Sequence, residues 1–272
     1  MIILILILLG LCFGSFVNAL IWRLHMQSKQ LKKKKSNYSI VSGRSMCMSC
    51  GHTLSVIDLV PVASWVLLRG RCRYCHKKYP DTPVAELITP ILFVVSYVFW
   101  PDTLDDKGIT LLIFWLVFLV GFVALAIYDL RWFKLPNKII FPLMIVAGVQ
   151  VVLSMLFFNF SAQDLGSLLV SIGLGGGIFY ALYYISHGKW IGGGDVKLGF
   201  LLGAILGNPL QSILLIFIAS LLGTLVSLPL LLAKRLKYRG HVPFGPFLLA
   251  AAVIVRLFGA SIINGYMRLL GL

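Results

Sequence analysis

Residues 109–129 read ITLLIFWLVFLVGFVALAIYD. Twenty positions pass without a charge before the run closes on Asp129. A helix of 20 residues rises about 30 Å, the thickness of a bilayer's hydrocarbon core. Strands are excluded as isolated spans, because unpaired backbone groups are too costly in lipid.

The same pattern recurs outward from this run. Apolar segments cover roughly 2–22, 84–100, 109–128, 139–158, 165–186, 190–207, 210–233 and 242–263. The chain is 59% hydrophobic and only 12% charged, about half the charge of a soluble domain. The expected fold class is an all-α polytopic membrane protein with about eight transmembrane helices. The first segment has no basic n-region and no small-residue cleavage site, so it reads as a span and not a signal peptide. The segment 190–207 is the weakest, being broken by Gly192, Gly193 and Gly194.

Net charge is +15, and its placement orients the chain. The stretch 23–83 holds twelve Lys and Arg. The loops 129–138, 187–197 and 234–241 hold Arg131, Lys134, Lys138, Lys189, Lys197, Lys234, Arg235, Lys237 and Arg239. The alternate loops hold Lys107 among Asp102, Asp105 and Asp106, and little else. Positive loops stay in the cytoplasm. Both termini are therefore expected outside, with the large loop inside. The run Lys32–Lys35 suits anionic lipid better than nucleic acid, and no nucleic-acid partner is expected.

Two acids stand at spans away from the large loop: Asp129 and Asp195. Acids at membrane depth are costly and mark function by default. The topology puts both on the cytoplasmic side at similar depth. Two carboxylates held close share a proton, one serving as general base on water and the other as general acid. Three other readings stay open at this point. Each Asp also suits helix capping or pairing with Arg131 or Lys197, a proton-coupled transporter would use such acids, and a non-catalytic assembly scaffold would need neither. Gly192–Gly194 are expected to let the backbone unwind and a substrate strand approach. Gly173 and Gly175–Gly177 read as close helix packing.

The large loop carries Cys47-Met48-Ser49-Cys50 and Cys72-Arg73-Tyr74-Cys75. Four thiolates in two CxxC pairs suit tetrahedral zinc. A reducing compartment argues against disulfides, and no strand–helix context supports a redox pair. His52 and His76 follow the pairs, but four cysteines already fill the shell. Cys12, inside the first span, is a small packing residue. Metal binding would fold a loop too small for a robust core. The expected organisation is a first transmembrane helix over 1–22, a cytoplasmic zinc module over 23–83 and a transmembrane catalytic bundle over 84–272.

These residues resemble the type IV prepilin peptidase family of GxGD aspartyl peptidases, over nearly the whole chain. The resemblance is carried by Gly14-Ser15-Phe16-Val17-Asn18 with Arg23-Leu24, and by Arg44-Ser45-Met46-Cys47. It continues through Gly70-Arg71-Cys72-Arg73-Tyr74-Cys75, Tyr79-Pro80, Glu86-Leu87, and Asp129 with Leu135-Pro136-Asn137. It ends in Gly192-Gly193-Gly194-Asp195-Val196-Lys197 and Pro243-Phe244-Gly245-Pro246-Phe247. The resemblance implies that Asp129 and Asp195 are the catalytic pair of an aspartic endopeptidase in the cytoplasmic membrane. Its substrates would be prepilins or pseudopilins, cut at the cytoplasmic face after a short basic leader. It also implies methylation of the new N-terminus from S-adenosylmethionine, in service of pilus, type II secretion or competence pseudopilus assembly. The sequence departs from the family at Met48, at His25 and in the lysine-rich stretch 26–43.

Overall fold

The computed structural model describes residues 1–29, 45–47, 49–55, 57–78, 83–158, 160–233 and 242–271. Lys32–Lys35, Arg44, Met48, Tyr79, Pro80, Lys234, Arg235, Lys237 and Arg239 lie outside the described residues.

Nine α-helices occur among the described residues. They are α1 (Ile2–Lys29), α2 (Ala63–Leu67), α3 (Val84–Val98), α4 (Asp106–Trp132), α5 (Asn137–Phe157), α6 (Ala162–Ser186), α7 (Gly193–Leu206), α8 (Pro209–Leu232) and α9 (Gly245–Leu269). Among the described residues, extended pairing is limited to two isolated bridges. Eight of the nine helices stand where the eight apolar segments were read. Six, namely α1, α4, α5, α6, α8 and α9, are long and apolar enough to cross a membrane. The 15 residues of α3 and 14 of α7 are shorter, rising only about 22 and 21 Å.

The helix ends follow local chemistry. Asp105 caps α4 by accepting from the Gly108 N–H at 2.7 Å. Ser161 and Asp164 form a capping box on α6. Asn208 caps α8 and Pro209 opens it. Helix α4 ends on left-handed Phe133, and α7 on left-handed Gly207.

The chain divides into two compact units. The first comprises 1–98 and the middle of α4, 119–127. Within it α1 lies close on α3: a Cβ on Gly10 would run into the Pro90 Cα, and one on Gly14 would stand 2.6 Å from the Ala85 carbonyl oxygen. The second unit comprises 99–118 and 128–272. Its tightest seam joins α6 to α7. Gly175 faces Gly199 and Gly203, and a Cβ on Gly176 would enter the Phe200 ring. The expected glycine packing thus holds at 175 and 176. Positions 173 and 177 face open space. Buried Ser171 ties the seam to α8, donating to the Gly203 carbonyl and sharing a 2.8 Å hydrogen bond with Ser212.

Large apolar side chains are exposed all along these helices, including Ile145, Leu156, Phe157, Leu169 and Phe217. A water-soluble chain rarely exposes so much contiguous apolar surface. Lipid tails are as apolar as these side chains and accept it.

Candidate active site and metal centre

Asp129 lies one turn before the end of α4, and Asp195 in the first turn of α7. Both belong to the second unit. The two carboxylates are near enough for the charge of Asp129 to act on Asp195. Asp129 is buried and accepts a hydrogen bond from the Gly245 N–H at the start of α9. Asp195 accepts from the Gly192 N–H at the N-cap of its own helix. Each carboxylate therefore meets the partially positive N-terminus of a helix.

Leu135 is the spacer of this arrangement. Phe133, with φ 54°, turns the chain out of α4, and Leu135 follows. A Cβ on Gly194 would stand 2.9 Å from the Leu135 Cβ, and one on Gly245 would stand 3.4 Å from its Cδ2. Two residues on, Asn137 accepts a 2.9 Å hydrogen bond from the Lys197 Nζ. Three separate stretches of sequence, 129–137, 192–197 and 243–247, thus interlock at one place.

The structure changes the reason for the glycines before Asp195. None of Gly192, Gly193 and Gly194 has positive φ. Gly192 is extended, and the other two begin α7 in helical conformation. What forbids a side chain at 194 is the space Leu135 takes. Sequence reasoning singled out both aspartates as candidates, while Gly245 and Leu135 appeared only as members of motifs. No residue type identifies them in isolation, because their role is to leave or fill space.

The four cysteines of the loop also come together. Their Sγ atoms lie within 4.8 Å of one another, and Cys47 and Cys75 are 3.8 Å apart. Zinc–sulfur bonds of about 2.3 Å place tetrahedral sulfurs about 3.8 Å apart, so the set fits zinc. The two knuckles repeat each other. The Gly51 N–H donates to the Cys47 carbonyl and the His76 N–H to that of Cys72. Gly51 and His76 both have positive φ. Bridges Met46–Thr53 and Arg71–Lys78 close each knuckle with the same spacing. At Cys72 burial opposes ionisation, but backbone N–H groups and neighbouring thiols outweigh it and lower the thiol to about 6. Cys47, where burial wins, is pushed up to about 11.

Buried Asp58 braces the module. Burial alone would raise its carboxyl, but hydrogen bonds from Ser55 and the charge of Arg73 hold it below the usual range. The Arg73 Nε is 2.8 Å from Oδ1, close as an ion pair though not aligned as a hydrogen bond.

Sequence comparison gives two matches along the chain. The model of the bacterial peptidase A24 N-terminal domain matches residues 8–100, and that of the type IV leader peptidase family matches 116–228. A Bacillus subtilis protein is 30% identical over 270 residues, covering 97% of this chain and 98% of its own length. The chain belongs to the type IV leader peptidase family. That membership makes it a peptidase with multiple apolar helices. A relative from Aeromonas salmonicida is 29% identical over 282 residues, covering 96% of this chain and 92% of its own. One from Pseudomonas aeruginosa is 29% identical over 283 residues, covering 97% and 93%. All three are called prepilin leader peptidase/N-methyltransferase. No solved structure has significant similarity to the chain.

Proposed function

We propose that this chain is an aspartic endopeptidase that removes the basic leader from prepilins or pseudopilins. The observation that carries the reading is the pairing of buried Asp129 with Asp195 at the interlock of α4, α7 and α9. Neighbouring carboxylates disfavour double ionisation, so one proton is shared across the pair. The carboxylate without the proton takes one from a water molecule, which attacks the scissile carbonyl. The protonated partner gives its proton to the leaving amine. Gly245 and Gly192 hold the acceptor oxygens through backbone N–H groups, so the pair keeps its geometry as the proton moves.

Cleavage takes place at the cytoplasmic face of the cell membrane, because the basic loops lie on the same side as both aspartates. In this reading all eight helices cross, including short α3 and α7. The first transmembrane segment, 1–22, anchors the cytoplasmic module 23–83, and 84–272 forms the catalytic bundle. Zinc bound by Cys47, Cys50, Cys72 and Cys75 is structural, and the chain also N-methylates the new terminus from S-adenosylmethionine. The printed name of the relatives supports that second activity. Incubation with a candidate prepilin, then mass spectrometry of the product N-terminus, tests both. An uncut substrate refutes the peptidase reading, and a cut but unmethylated one refutes the second activity alone.

A further inference from the structure

One side of the cysteine module does not suit water. Residues 54–68 read LSVIDLVPVASWVLL and hold one charge, that of Asp58. Asp58 is turned inward, buried with the Arg73 Nε 2.8 Å from its Oδ1. What faces out is apolar: Ile57, Leu59, Val60, Trp65, Val66 and Leu67 are all exposed, Leu67 at 79%. A contiguous exposed apolar patch marks an interaction surface. We propose that 57–67 is an interfacial membrane element, seated at the boundary of headgroups and acyl chains in the leaflet where α1 ends, with lipid covering this face. This requires only that the chain is membrane-embedded, and no part of it rests on the peptidase reading.

Depth is the first reason. The Val62 N–H donates to the Glu86 Oε2 at 2.6 Å, and the Asn18 Nδ2 to the Glu86 Oε1 at 3.3 Å. The short helix α2 therefore starts level with Asn18 on α1 and with the first turn of α3. Asn18 lies about 24 Å along α1 from Ile2 at a rise of about 1.5 Å per residue, short of the roughly 30 Å of the hydrocarbon core. The attachment is not slack. Val62 holds φ 59° at a β-branched residue, a strained conformation that persists where surrounding structure over-determines it. The module is thus tied to its helices at membrane depth, not hung beyond their ends.

Continuity is the second reason. Phe13 and Phe16 are exposed on α1 just before Asn18, and Val84, Leu87 and Ile88 are exposed on α3 around Glu86. Lipid is the solvent for those side chains on a membrane-crossing α1 and on the α3 packed against it. The apolar face of 57–67 begins at the same level, so one apolar surface runs from the helices onto the module.

Charge is the third. The exposed residues Arg69, Arg71, Lys77 and Lys78 follow the apolar stretch directly. Apolar side chains with a tryptophan on one part and Lys and Arg on the next are the composition of an interfacial segment. The tryptophan suits the headgroup level, and the cations suit anionic headgroups. Inside this seat the polar groups are matched within the protein, Asp58 by Arg73 and Glu86 by Val62 and Asn18.

The test uses zinc-loaded full-length protein in vesicles of phosphatidylethanolamine and phosphatidylglycerol, with zinc content checked in every sample. Leu67 is replaced by the photoreactive residue p-benzoylphenylalanine. In a second sample Leu8, exposed on α1, is replaced in the same way as a lipid-facing reference. After illumination the adducts are read by mass spectrometry. Position 67 should carry a phospholipid adduct in yield comparable with position 8. An adduct at 8 and none at 67 would show that the face is open to water and would overturn the inference. A crosslink from 67 to a second copy of the chain in place of lipid would make the face a subunit contact, and would overturn it as well. The unsubstituted chain is mapped in parallel with a phosphatidylglycerol that carries a photoreactive acyl chain, which depends on no variant folding. Label should fall on 57–67 as well as on α1, and label on α1 with 57–67 bare would overturn the interfacial seat.

Discussion

The backbone N–H of Gly245 donates to the Asp129 carboxylate, and a Cβ on Gly245 would stand 2.6 Å from the Asp129 Oδ2. Contact this close means that α9 sets the position of an acid on α4. Gly245→Ala should therefore reduce cleavage about a hundredfold, the scale of a 1 Å misplacement, with helix content retained. Gly148→Ala, where a Cβ meets nothing within 4 Å, should leave activity unchanged. Steady-state cleavage of a prepilin peptide by both variants checks the contrast, and equal activities would remove Gly245 from the site.

Asp129→Asn and Asp195→Asn should each abolish cleavage while leaving expression and thermal stability near parent values. An amide neither takes a proton from water nor shares one with its partner. The assay is product formation per folded molecule. Parent-like turnover by either variant would end the dyad assignment and favour the scaffold or transporter readings.

The cysteine module should carry one zinc per chain, measured by elemental analysis of purified protein. Chelation should speed proteolysis within 45–78 while the helices stay inserted, because metal binding is what folds so small a module. Asp58→Asn should loosen the same segment. The folded-state carboxyl titrates below its unfolded value, so its stabilisation is fully present above about pH 4 and is lost as pH falls through the folded value. The gap in proteolysis rate between parent and Asp58→Asn should therefore be equal at pH 7 and pH 6. A metal-free, disulfide-bonded module from cells would overturn the assignment.

Much of this was legible in the sequence because lipid simplifies the code. A membrane helix must be long, apolar and internally hydrogen-bonded, so 109–129 announces α4 within a few residues. Asp129 and Asp195 stand out against that background, and CxxC spacing announces the cysteine cluster. What stayed hidden was steric. Helical geometry at Gly193 and Gly194, the wedge of Leu135 and the strained turn at Val62 depend on residues far apart in sequence. The short reach of α3 and α7 was hidden as well, because apolar residues such as Trp100 and Trp190 continue beyond the helices themselves.

Topology follows from charge and is open to direct labelling. Asp105→Cys in a cysteine-depleted background should react with an impermeant maleimide added outside intact cells, and Ser28→Cys should react only after the membrane is opened. The reverse pattern would mean that the loop charges do not orient this chain, and would move the aspartate pair to the outer face.

The interlock at Gly194 gives the sharpest test of how the second aspartate is placed. Gly194→Val adds a branched side chain where Leu135 already stands 2.9 Å from the nearest possible atom. Valine has no quarrel with the backbone there, since φ at 194 is not positive, and it costs nothing in lipid. The loss must then come from displacement of the α7 start against 135, and with it the Asp195 carboxylate. Cleavage should fall about a hundredfold. Leu135→Ala alone opens space beside both Gly194 and Gly245 and should cost activity more mildly. Combined, the smaller side chain at 135 makes room for the larger one at 194, so the double variant should recover at least tenfold over Gly194→Val. Contacting residues show such non-additivity, and distant ones do not. Simple addition of the two losses would mean that Gly194 acts on Asp195 by some route other than Leu135.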